Sequence, residues 1–196
     1  MIDRAQTPPP LDPHQGVSII VGPGNGPAWA AWELATATAA GLASWRGRPI
    51  VSAGPVAFAT GTPDADHDLR WAFDRAAAAL GVDGKAKKAA LREITPIRFS
   101  APFCDEAETA HALGVELAEL GYSLAVFDPI SRFAPEFIDQ MDRPWGALRW
   151  AQEVADQGVN VAITLTSTMS RRQVLSWSTG ANVRAIYAPN PKEPTP

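Results

Sequence analysis

Residues 17–34, VSIIVGPGNGPAWAAWEL, commit this chain to a strand, a tight glycine turn and a helix in immediate succession. Val17, Ile19, Ile20 and Val21 make a short apolar run rich in β-branched side chains, the composition of a strand covered on both faces. Gly22-Pro23-Gly24-Asn25-Gly26 breaks that run, and an alanine-rich helical pattern starts behind Pro27. Proline suits the first position of a helix, where its fixed φ fits and its missing N–H would have no partner anyway.

The rest of the chain repeats the alternation. Runs at 17–21, 55–60, 94–99, 123–127, 159–165 and 183–187 predict strands, and patterns at 28–44, 65–80, 85–93, 105–120 and 144–157 predict helices. The clearest helix carries a stripe of Ala107, Ala110, Leu113, Leu117 and Leu120, with acidic residues in its first turn and Gly121 at its end. Nearly continuous apolar strands such as SLAVF and VAIT need cover on both faces. The expected fold is therefore α/β, with a doubly wound, mostly parallel central sheet flanked by helices.

A length of 196 residues with 46% hydrophobic side chains supports one sizeable core and is short for two. A single domain is expected over 16–187, between proline-rich tails at 1–15 and 188–196 that include TPPPLDP and APNPKEPTP. Cys104 is the lone cysteine, so no intramolecular disulfide can form. The N-terminus lacks a signal-peptide pattern, and the longest uncharged stretch, between Asp12 and Glu33, is interrupted by Gly and Pro. A cytoplasmic protein with no membrane segment is expected. A net charge of -4 argues against strong nucleic-acid binding by the monomer surface, leaving only local patches.

The turn at 22–26 has the outline of a phosphate-binding loop and lacks its chemistry. In G-x-x-x-x-G-K-[ST], backbone N–H groups and a lysine cradle phosphates while the hydroxyl binds Mg²⁺. Aligned on Gly26, this chain has Val21 for the first glycine, Pro27 for the lysine and Ala28 for the hydroxyl. Pro27 removes both the cation and a backbone donor. Two lost charge-assisted hydrogen bonds at about 1.5–3 kcal/mol each amount to a loss on the order of a hundredfold to ten-thousandfold in nucleotide affinity. Taken alone, GPGNGP also reads as an ordinary turn.

The ordered set of motifs resembles the RecA-like ATPase fold, and within it the RepA-type hexameric plasmid replication helicases, over about residues 16–187. Besides the turn, the resemblance rests on GLASWRGRPIVSAGPVAFATG (41–61), DADHDLRWAFDRAAAALGV (64–82) and LAVFDPISRF (124–133). It implies a Walker B role for Asp128, an oxygen ligand for the Mg²⁺ of a nucleotide. Asp128 also reads simply as the start of an Asp-Pro turn.

Elsewhere the family pattern fails where catalysis would sit. Thr62 and Pro63 stand where the resemblance implies an acidic pair, with Asp64 and Asp66 nearby, and Leu165, Thr166 and Met169 replace two histidines and a lysine. Arg184 matches an arginine able to reach a neighbouring subunit's nucleotide, or is a surface strand residue. The resemblance further implies that the strand of the turn lies beside the strand of Asp128. Strand order would separate this fold from Rossmann-like or flavodoxin-like topologies.

Other candidates are surface groups. Lys85, Lys88 and Arg92, with Lys87 beside them, read as a solvated helix face or as a contact for DNA or an acidic partner. Arg171 and Arg172 follow the degenerate sensor strand, a place where the resemblance implies DNA-contacting loops. Of seven tryptophans, Trp29 and Trp32 are spaced to fill the room a nucleotide would vacate, and most of the rest read as core or interface anchors. His14, His67 and His111 are scattered, so no metal site is expected.

The leading expectation is a catalytically inactive homologue with a vestigial nucleotide site at Gly22, Gly24, Asn25, Gly26 and Asp128 and no cofactor. It would act by protein contact or self-association in DNA replication, repair or a mobile element. The alternatives are an active ATPase or helicase-like enzyme using ATP and Mg²⁺ in a non-standard site, and a small-molecule-binding α/β domain.

Overall fold

Six apolar runs become the six strands of one parallel sheet. The structure, a computed structural model, describes residues 16–50, 52–60, 65–97, 107–133, 145–168, 170–175 and 183–189. In chain order the elements are β1 (Val17–Gly22), α1 (Gly26–Ala39), β2 (Ser44–Trp45), β3 (Arg48–Pro49), β4 (Val56–Thr60), α2 (Ala65–Ala79), α3 (Gly84–Glu93) and β5 (Ile94–Ile97). They continue with α4 (Ala107–Glu119), β6 (Leu124–Asp128), a single 3-10 turn (Ile130–Arg132), α5 (Trp145–Ala155), β7 (Asn160–Thr166), α6 (Arg171–Leu175) and β8 (Val183–Tyr187). The expected tails fall mostly on undescribed residues, as do His14, Thr62, Pro63, Asp64, Cys104 and Met169.

The sheet order is β5-β4-β6-β7-β1-β8, and every pairing in it is parallel. Counting only these strands along the chain gives 3-2-4-5-1-6. In the Rossmann order, 3-2-1-4-5-6, the first strand lies between the second and fourth, and in flavodoxin-like sheets it lies between the second and third. Here it lies between the fifth and sixth, so neither topology applies.

One placement is corrected. Beside β1 lie β7 and β8, and β7 separates it from β6 and Asp128. The sequence of β7 explains why it can hold an interior position, because Val161 and Ile163 fill one core while Ala162 fills the other.

Strand alternation divides the apolar residues between two layers. Val21, Phe127 and Ile163 face α4 and α5, where Leu117, Trp150 and Val154 complete the core. Ile20, Phe58, Val126 and Ala162 face the other layer with Trp32, Phe73 and Ala90 of α1, α2 and α3. Trp32 lies flat on Phe58, with ring centroids 3.9 Å apart. The sheet is therefore covered on both faces, as the uninterrupted apolar strands required.

The helix expected over 28–44 stops at Ala39, because Gly41 takes φ +68° and the Leu42 N–H closes back on the Ala37 carbonyl. The freed residues form the β2-β3 hairpin, with Arg46 and Gly47 both at positive φ as a two-residue primed turn requires. On α4 the expected stripe also loses its last member. Ala110 and Leu117 are buried, but Leu120 lies beyond the final helical turn and is 63% exposed.

Candidate functional site

Parallel strands bring their C-terminal ends to one edge of the fold, the usual place for ligands in an open α/β sheet. Gly22 stands in register with Thr166, and Thr60 with Asp128, so the glycine turn and the Asp128 strand end share that edge. Asp128 is two residues beyond Val126, and Thr164 two beyond Ala162, which puts both on the α1 face. The intervening strand β7 joins them: Thr164 Oγ1 donates a hydrogen bond to Asp128 Oδ1.

Burial raises the Asp128 carboxyl above the ordinary carboxylate range, and the Thr164 hydrogen bond opposes that rise without cancelling it. A carboxyl tuned this way is biased towards its neutral form.

Only Pro23, Gly24 and Asn25 separate β1 from α1. The Gly26 N–H donates to the Pro23 carbonyl at 3.2 Å, closing the turn on itself, while Gly24 supplies the positive φ of 54°. Pro27 has no N–H, so the helix start keeps Ala28 as its first donor not committed within the turn. No side chain caps α1 at Asn25, and its first turn has no acidic residue.

Main chain just past the end of β8 then presses on the turn. Ala188 N–H donates to the Val21 carbonyl at 2.8 Å, and Ala188 is fully buried. A Cβ placed on Gly22 would meet the Ala188 oxygen at 1.8 Å; one on Gly26 would meet the Ala188 and Pro189 oxygens at 2.5 and 2.6 Å. These glycines thus serve close backbone packing. Two carbonyl oxygens, each bearing partial negative charge, stand against the turn.

The remaining candidates are spread over the molecule. Trp29 packs edge-on against Trp71 at 5.2 Å, under the Arg75 guanidinium, while Trp32 belongs to the sheet core. It is the Ala188–Pro189 main chain that meets the turn. Arg171 and Arg172 are exposed at the start of α6, just beyond the C-terminal end of β7. Lys85, Lys88 and Arg92 are exposed on α3, and Lys87 pairs with Asp74 at 2.8 Å. Asp66 lies in the first turn of α2.

Arg184 is in register with Ser18, near the start of β8 and at the opposite end of the sheet from the turn. His111 faces Glu153 at 3.6 Å. Among the described residues no group of three His, Cys, Asp or Glu side chains could hold a metal, and no helix is long and apolar enough to cross a membrane.

Thr164 and the Ala188–Pro189 pair went unnoticed in the sequence. The first had a signal, since strict alternation along VAITLT puts Thr164 on the same face as Ala162. The second had none, because APNP reads as the start of a tail.

No family model matches the chain, and no curated protein matches it. Among solved structures it is similar to the KaiC-like protein PH0186 from hyperthermophilic archaea, Pyrococcus horikoshii OT3. That similarity has a TM-score of 0.48 at 17% identity and covers 83% of this chain and 67% of that one.

Proposed function

We propose that this chain is a RecA-like domain that has given up nucleotide hydrolysis and acts through its surfaces. Its role would be that of a regulatory or structural partner in DNA replication, repair or a mobile element. The observation that carries the reading is the closed turn at the head of α1: its Gly26 N–H is spent on Pro23, Pro27 offers none, and the Ala188 and Pro189 carbonyls crowd the glycines. A triphosphate needs convergent N–H donors and a cation at that point.

Exposed Lys85, Lys88, Arg171 and Arg172 are the surface groups suited to an acidic partner or a nucleic-acid backbone, on a chain of net charge -4 that favours protein contact over free DNA binding. Calorimetric titration with Mg-ATP, paired with a phosphate-release assay, tests the reading. Neither micromolar binding nor turnover is expected. Micromolar binding with turnover abolished in Asp128→Ala would establish a working ATPase and overturn the proposal.

A further inference from the structure

At the opposite end of the sheet, where the strands begin, the α1 face opens into a cavity of about 70 Å³. Its inner wall is apolar, built from Leu124, Val161, Ile186 and the almost fully buried Trp45. Its rim carries Arg48 and Arg184, both exposed, and the hydroxyls of Ser18 and Ser52. Among the described residues, no acidic side chain lines it.

The two arginines are held by different elements. Arg184 stands on β8 next to Ser18 of β1, two residues before Ile186, which points into the α1-side core. Arg48 is fixed through the hairpin, where it faces Trp45 across the two strands. Glu33 of α1 anchors that hairpin by accepting a bond from Trp45 Nε1 at 3.3 Å and by pairing with Arg46 at 2.9 Å. The Glu33 carboxylate is thereby engaged with Arg46. Neither Arg48 nor Arg184 has an ion pair or side-chain hydrogen bond among the described residues, and the Ser18 and Ser52 hydroxyls are likewise unpartnered there.

Two guanidiniums carried on a hairpin and a strand at the rim of an apolar recess, without partners among the described residues, are complementary to one kind of ligand. The planar forks match the oxygens of a phosphate or carboxylate, and the recess takes a small apolar group. We infer that this cavity is a binding site for a small organic oxyanion, with its apolar body against Trp45 and its charged head between Arg48 and Arg184. The inference stands apart from the closed turn, which lies at the other end of every strand.

Titration with phenyl phosphate and, separately, benzoate tests it and assigns the head group, with inorganic phosphate as the reference for charge alone. Saturable binding by at least one aromatic probe is expected, about tenfold or more tighter than inorganic phosphate. Arg184→Met and Arg48→Met should each weaken it by about tenfold or more. In ¹H–¹⁵N spectra the Trp45 indole resonance should shift on binding, while the Gly24, Asn25 and Gly26 amides stay in place. Both arginines are exposed, and circular dichroism of the variants checks that they fold. Absence of saturation by both aromatic probes at millimolar concentration, equal binding of inorganic phosphate, or affinities unchanged in both variants would overturn the inference.

Discussion

The two ends of the sheet invert what the motifs suggest. At the C-terminal end the chain has the shape of a phosphate loop, yet main-chain carbonyls of Ala188 and Pro189 face the turn and its Gly26 donor is internally bonded. At the N-terminal end no motif stands out, yet Arg48 and Arg184 border an open apolar cavity without partners among the described residues. Shape and available charge have parted company. Anion recognition needs donors free to face the ligand, and such donors lie opposite the glycine-rich turn.

The contrast breaks most readily at the turn itself. Gly22→Ala would drive a Cβ into the Ala188 carbonyl oxygen at 1.8 Å, a main-chain atom that cannot swing away as a side chain would, so a loss of about 3 kcal/mol or more is expected in urea unfolding. If Gly22→Ala left stability unchanged, the Ala188 main chain would not be pressed on the turn. Glycines outside such contacts should respond differently. Gly22 needs its glycine for space, whereas Gly47 has open room and needs it for φ +73°.

The Asp128–Thr164 pair comes next. Thr164→Val removes a donor to the carboxyl, and about 1–2 kcal/mol should be lost together with a further rise in the Asp128 pKa, readable by NMR titration. Asp128→Asn keeps an acceptor for Thr164 and removes the charge. A carboxyl whose pKa rises on folding contributes most stability at acid pH, and that contribution is lost as pH climbs from the unfolded value through the folded one. The asparagine variant should therefore be more stable than the parent at neutral pH, with the advantage vanishing below the ordinary carboxylate range. An advantage that grows on acidification would mean that the carboxylate, not the acid, is the favoured form.

At the opposite end, Glu33→Ala should cost about 1 kcal/mol by freeing Arg46 and the Trp45 indole, and it should weaken phenyl phosphate binding by loosening the hairpin that carries Arg48. The smallest effect is expected on the α3 surface. Lys87→Ala breaks only a partly exposed pair with Asp74 and should change stability by less than about 0.5 kcal/mol.

Much of the architecture was legible because the local signals agreed with one another. VSIIV, VAFAT, LAVFD and VAITLT are apolar on both sides and so needed cover on both faces, and Gly121 marked the end of α4. Strand order was not legible, since the position of β7 between β1 and β6 is set by long-range pairing that no local pattern encodes. Nor was the closure of the turn, which depends on carbonyls arriving from residues 188 and 189. The missing lysine and hydroxyl at Pro27 and Ala28 could be read directly, because absent side chains leave nothing to be hidden by folding. The arginine-rimmed cavity could not, as its parts come from a hairpin and an edge strand far apart in the chain.

The most direct test follows the backbone amides of Gly24, Asn25 and Gly26 in ¹H–¹⁵N spectra while Mg-ATP is added. The account predicts that these three resonances hold their positions at millimolar nucleotide, even if anions perturb signals near Arg48 and Arg184. Saturable shifts of all three at micromolar Mg-ATP, lost in Asp128→Ala, would contradict it.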